Sequence, residues 1–131
     1  MESQHPIRVV IVEDSAIIRA RLTEALGEIP DVELIDAVET ERAALQLLRD
    51  SKWNAVVLDL QLREGTGLGV LKALGDRRPE GAKVIVFTNY ASPVYRERSL
   101  RLGADYFFDK VRDFHRVREV LAQMAGAASS A

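Results

Sequence analysis

Three nearly continuous apolar runs mark the chain: Ile7–Val12 (I-R-V-V-I-V), Ala55–Leu58 (A-V-V-L) and residues 82–87 (A-K-V-I-V-F). Runs of this length, rich in β-branched residues, belong to strands buried on both faces of a parallel sheet. Val32–Val38 (V-E-L-I-D-A-V) alternates more, as a strand near a sheet edge does, and residues 105–108 make a short fifth strand.

Between these runs the apolar period lengthens to that of helices. Ser15 is placed as an N-cap before Ile18, Leu22, Ala25 and Ile29, with Gly27 and Pro30 closing the segment. Thr40 precedes a stripe of Ala43, Ala44, Leu47 and Leu48, while Leu68, Leu71 and Leu74 follow the third strand. Ser92-Pro93 opens an arginine-rich helix that stops at Gly103. Asp113 is expected to cap the last helix, which carries Phe114, Val117, Leu121 and Met124 on one face. Trp53 reads as packing. Gly65, Gly67 and Gly69 read as turn-makers, because they lack the spacing of a dinucleotide fingerprint.

Strand and helix thus alternate five times with no shift in composition. The pattern predicts one α/β domain, a doubly wound (βα)5 parallel sheet in the flavodoxin-like strand order 2-1-3-4-5. Its expected parts are an N-terminal tail over residues 1–6, the domain over 7–125 and a flexible tail over 126–131.

Composition narrows the chemistry. At 131 residues, 47% hydrophobic and 29% charged, this is an ordinary globular chain. A net charge of −2 argues against direct nucleic-acid binding, and the lack of cysteine excludes disulfides and thiolate metal sites. No signal peptide or membrane-spanning run is visible, so a cytoplasmic protein is expected.

In the predicted strand order, the residues that follow strands 1, 3, 4 and 5 converge at one rim of the sheet. They are Glu13 and Asp14, then Asp59, then Thr88, then Lys110. Three acids at close quarters repel one another unless a cation sits among them. Oxygen ligands without His or Cys favour Mg²⁺ or Mn²⁺. A carboxylate beside such an ion can attack an activated phosphoryl group, and the metal, Lys110 and Thr88 can hold the transferred oxygens.

With these residues the chain resembles, from Ile7 to about Met124, the receiver domain of the two-component response-regulator family. The resemblance implies that Asp59 is the phosphoacceptor and that Asp14 binds Mg²⁺ (or Mn²⁺) with Glu13 and Asp59. The backbone carbonyl of Gln61 would complete the metal site, Thr88 and Lys110 would bind phosphoryl oxygens, and Phe107 would take the aromatic switch position. It further implies a phosphoryl donor that is a sensor histidine kinase or a histidine phosphotransfer protein. No enzyme activity is expected beyond self-phosphorylation from a phosphodonor and self-dephosphorylation.

Three positions depart from the family pattern. Glu13 replaces the commoner Asp. Arg63 stands where Pro is usual, which is expected to free the loop before Gly67, and Val111 follows Lys110 where a cis Pro is usual, predicting a trans bond. Among rivals, a haloacid-dehalogenase-type phosphatase needs a second Asp at position 61, which is Gln, and a flavin module would find its phosphate repelled by Glu13 and Asp14. His5 and His115 sit on the N-terminal tail and the last helix, away from the rim. A stand-alone, chemotaxis-regulator-like receiver is expected, acting on a protein target or a second copy through its fourth helix, fifth strand and fifth helix. There Arg96, Arg98, Arg101, Arg112, Arg116 and Arg118 suggest an acidic partner. The alternatives are a receiver excised from a larger DNA-binding regulator and a stand-alone phosphorelay intermediate.

Overall fold

The computed structural model describes the backbone of residues 6–130 and the side chains of residues 6–127. Residues 1–5 of the expected N-terminal tail, His5 among them, and Ala131 lie outside the described residues. The strands are β1 (Ile7–Val12), β2 (Val32–Val38), β3 (Ala55–Leu58), β4 (Lys83–Thr88) and β5 (Tyr106–Asp109). They form one parallel sheet in the order β2-β1-β3-β4-β5. The helices are α1 (Ala16–Gly27), α2 (Glu41–Asp50), α3 (Gly67–Leu74), α4 (Pro93–Arg101) and α5 (Phe114–Ser130).

The strands are apolar throughout because both faces are covered. Val9, Ile11, Val57, Ile85 and Phe87 point to one side and pack with Leu22 and Leu26 of α1 and Val117 and Leu121 of α5. Val10, Val12, Val56, Leu58, Val84 and Val86 point to the other, against Ala44 and Leu48 of α2 and Val70, Leu71 and Leu74 of α3. Each such side chain, fully removed from water, contributes about 1.5–3 kcal/mol. Trp53 is buried on the α2 side, and its Nε1–H donates to the Leu48 carbonyl at 3.0 Å.

Side-chain oxygens satisfy the first amides of four helices. Ser15, Thr40, Thr66 and Ser92 accept from Ile18, Ala43, Gly69 and Tyr95 at 3.3, 3.1, 2.9 and 3.3 Å. Asp113 Oδ2 accepts from the Asp109 N–H at 2.9 Å, four residues back.

Three features differ from the pattern in the sequence. β4 and β5 each begin one residue late: β4 starts where Lys83 pairs with Ala55, and β5 starts after Asp105, whose carboxylate takes the Val84 N–H (2.8 Å) and Arg78 (2.9 Å). α5 continues through the small residues after Gly126 to Ser130, since alanine is the best helix former. Of Gly65, Gly67 and Gly69, only Gly65 has a positive φ (79°); the other two are helical.

Candidate functional site

The rim is assembled by backbone pairing that continues one residue past each strand. Glu13 N–H donates to Val38 O at 2.9 Å, Asp59 N–H to Val12 O at 3.0 Å, and Lys110 N–H to Thr88 O at 3.0 Å. Each side chain that follows a strand is thereby fixed at the carboxyl end of the sheet.

Lys110 reaches across β4 and joins the other two. Its Nζ lies 2.7 Å from Glu13 Oε1 and 2.8 Å from Asp59 Oδ2, and all three groups are buried. The remaining carboxylate oxygens take backbone donors: Glu13 Oε2 accepts from Ser15 N–H at 3.0 Å, and Asp59 Oδ1 from Gln61 N–H at 3.3 Å. Asp14 is half-buried beside them, and one oxygen each from Glu13, Asp14 and Asp59 lie within 4.8 Å of one another. Thr88 is wholly buried at the end of β4, its hydroxyl accepting from the Tyr90 N–H at 3.1 Å. Phe107 is buried on the α2/α3 side of the sheet.

The charges are unequal. Burial pushes the Glu13 carboxyl above its ordinary value and the Asp59 charge adds to this, while Lys110 and the Ser15 amide act the other way. Burial alone would lower the Lys110 ammonium, but hydrogen bonds to Asp59 and Glu13, together with their charges, hold it above its ordinary value. One firmly protonated cation thus faces three carboxylates. A hard divalent ion fits that donor set, which is all oxygen and retains net negative charge.

The loop that follows Asp59 is tied down, contrary to the freedom expected from Arg63 in place of proline. Arg63 N–H donates to Glu39 O at 3.4 Å, and its Nε lies 3.3 Å from Glu39 Oε1. Neither contact is open to a proline, which has no N–H and no cation. Glu41 N–H donates to Glu64 O at 3.0 Å, and Glu41 Oε1 accepts from Thr66 N–H at 2.9 Å. Among the described residues no peptide bond is cis, so Lys110–Val111 is trans.

The structure brings Glu13, Asp14, Asp59 and Lys110 together and places Thr88 and Gln61 beside them. Arg19, Glu39 and Glu41, which hold the surrounding loops, carry no sequence signal, since their partners are remote in the chain. Thr66 did carry one: a hydroxyl residue immediately before a helix.

The response regulator receiver domain family matches residues 9–122. A protein-glutamate methylesterase/protein-glutamine glutaminase of Methylobacillus flagellatus is 28% identical over 130 residues, 95% of this chain and 37% of that protein. A CheY-like response regulator receiver domain protein from Methanospirillum hungatei JF-1 superposes with TM-score 0.81 at 25% identity, covering 95% and 98% of the two chains. A Burkholderia pseudomallei response regulator, solved with a phosphorylated aspartic acid and a calcium ion, gives TM-score 0.78 at 22% identity over 95% and 71%. The chain spans about a third of the length of the curated relatives it matches first (37%, 34% and 30%).

These relatives correct one expectation. Several are named for esterase and glutaminase activities, so the reading that the chain is no enzyme beyond its own phosphorylation does not stand. It rested on a stretch that covers too little of those proteins to carry such a statement.

Proposed function

The chain belongs to the response regulator receiver domain family of two-component signalling, and on that premise we propose that Asp59 is its phosphoacceptor. The observation that carries the proposal is the Lys110 bridge between Asp59 and Glu13, which puts a buried carboxylate, a second acid and a fixed cation at one strand rim.

In the proposed transfer, a carboxylate oxygen of Asp59 attacks the phosphorus of a phosphohistidine on a sensor kinase or phosphotransfer protein, or of a small acyl phosphate. A P–O bond forms to Asp59 as the P–N bond to imidazole, or the P–O bond to the acyl group, breaks, and the imidazole or the carboxylate departs with the electron pair of that bond. Lys110, already 2.8 Å from Asp59 Oδ2, pairs with a phosphoryl oxygen, and the Thr88 hydroxyl donates to another. Mg²⁺ is the proposed ion, held by Glu13, Asp14, Asp59 and the Gln61 carbonyl. When bound, it neutralises charge on the transferred group.

The test uses a small acyl phosphate and intact-mass analysis. One phosphoryl addition is expected with Mg²⁺, and none after chelation or in Asp14→Ala. Addition that is indifferent to both treatments would sink the metal-assisted reading.

The switch is proposed to run from Thr88 to Phe107. Thr88 exchanges its Tyr90 contact for the phosphoryl group, and Phe107, already inward, repacks along β4. Of the six arginines on the output face of α4, β5 and α5, two have acidic partners and two lie over aromatic rings. Arg101 pairs with Glu97 at 3.0 Å and Arg118 with Glu28 at 3.2 Å, while Arg96 and Arg116 lie over the Phe107 and Phe108 rings. Its proposed occupant is a protein target or a second copy. With the phosphate mimic beryllofluoride, amide NMR shifts are expected to reach Phe107 and α4, and to stay local in Thr88→Ala. Shifts confined to the surroundings of Asp59 in the unaltered chain would overturn this route.

The lengths of the relatives favour a second reading of context, in which this domain is the regulatory part of a longer cytoplasmic protein. The mass of the native protein in its source cells separates the two.

A further inference from the structure

Glu39, the residue immediately after β2, sits between the two loops that carry the proposed metal ligands. On one side its Oε2 lies 3.6 Å from Arg19 Nη1, and the same Nη1 donates to the Glu13 carbonyl at 3.1 Å. On the other, its Oε1 lies 3.3 Å from Arg63 Nε, and its own carbonyl accepts the Arg63 N–H at 3.4 Å. Arg63 is two residues from Gln61, and Gln61 donates to Asp59 Oδ1.

A chain of contacts thus runs from the Glu13-Asp14 turn, through Arg19, Glu39 and Arg63, to the loop that bears Gln61. Metal binding needs the oxygens of both loops at one spacing, and a multidentate site loses affinity when that spacing is left to thermal drift. Backbone sets it only in part: Glu13 is paired with β2 and Asp59 with β1, whereas the loop beyond β3 is held by two isolated bridges, Thr40 to Glu64 and Gln61 to Thr66. Glu39 is the carboxylate that both arginines share.

We propose that Glu39 is a positioning residue for the divalent-metal site, a two-sided clamp that fixes the distance between the β1–α1 acids and the Gln61 carbonyl. It touches neither metal nor phosphoryl group. The proposal rests on the receiver reading above and adds to it the residue that replaces the stiffness a proline at position 63 would supply.

The test measures Mg²⁺ affinity by calorimetry in Glu39→Gln, with Glu33→Gln as its control. Glu33 of β2 pairs with Arg8 of β1 at 3.5 Å and is more exposed than Glu39, and it lies at the opposite end of the sheet. Both pairs are solvent-screened, so both variants should melt within about 4 °C of the unaltered chain without metal. Glu39→Gln is expected to weaken Mg²⁺ binding about three- to tenfold, and Glu33→Gln to leave it unchanged. Arg63→Gln should weaken binding similarly, and the double variant Glu39→Gln/Arg63→Gln no further than either alone. Equal affinity in Glu39→Gln and the unaltered chain, or equal weakening in both Glu variants, overturns the clamp. Failure of the unaltered chain to bind Mg²⁺ overturns the proposed metal site instead.

Discussion

An Asp59→Asn chain is expected to fold and to take up no phosphoryl group. The amide matches the carboxylate in shape but offers no anionic oxygen to attack phosphorus, and loss of a covalent nucleophile costs about 10³-fold or more. Folding survives because Lys110 keeps its second partner, Glu13 Oε1 at 2.7 Å, so no buried ammonium is left unpaired. The measurement is intact mass after incubation with a small acyl phosphate and Mg²⁺, alongside a circular dichroism melt. Full labelling of a folded Asn variant would place the acceptor elsewhere.

The second large effect is structural. A Cβ added at Gly67 would overlap the Asp59 carbonyl oxygen and lie 2.7 Å from the Leu60 Cα and 2.9 Å from the Asp59 carbonyl carbon. All three are backbone atoms of the segment that bears the proposed phosphoacceptor, and the Gly67 N–H is itself held by the Leu60 carbonyl at 2.9 Å. Neither side can yield alone. Gly67→Ala is therefore expected to cost about 3 kcal/mol, a fall of roughly 10 °C in melting temperature. It should also weaken Mg²⁺ binding, because relief of the clash moves Asp59. Gly69→Ala is the contrast: the nearest atoms to the added carbon are the carboxylate end of Glu41, a flexible side chain that can swing away at the expense of its hydrogen bond from Thr66 N–H. A Gly67→Ala chain as stable as its Gly69→Ala counterpart would show that the β3–α3 junction yields freely.

Much of this was legible in the sequence, for identifiable reasons. Strands buried on both faces are continuous apolar runs, so β1 and β3 could be read to the residue, the alternation of the edge strand β2 marked its bounds, and the polar residue that follows β1 and β3 fell at the rim. Caps at Ser15, Thr40 and Ser92 are local signals, complete within four residues. The loops were not legible. Glu41 meets Thr66 across 25 positions, and Glu39 meets Arg19 and Arg63 on opposite sides, so no local pattern announces either. Arg63 illustrates the error: taken alone, the missing proline implied a looser loop, whereas its N–H and guanidinium anchor it. The glycine string misled likewise, since close approach to a backbone at Gly67 leaves the same letter as a turn. On the arginine face, a sequence does not show that Arg118 meets Glu28 of α1.

Trp53 makes the protein its own optical reporter. It is the single tryptophan, fully enclosed, and its indole N–H is bound to the end of α2. It stands two positions before β3 and Asp59 one position after it, so their backbone positions lie about 20 Å apart along the strand. Its emission therefore follows the seating of α2 on the sheet and stays dark to events at the rim. A dye-free melt read at this residue measures cohesion of that face alone. Set beside a signal from the whole backbone, it separates detachment of one helical layer from collapse of the sheet.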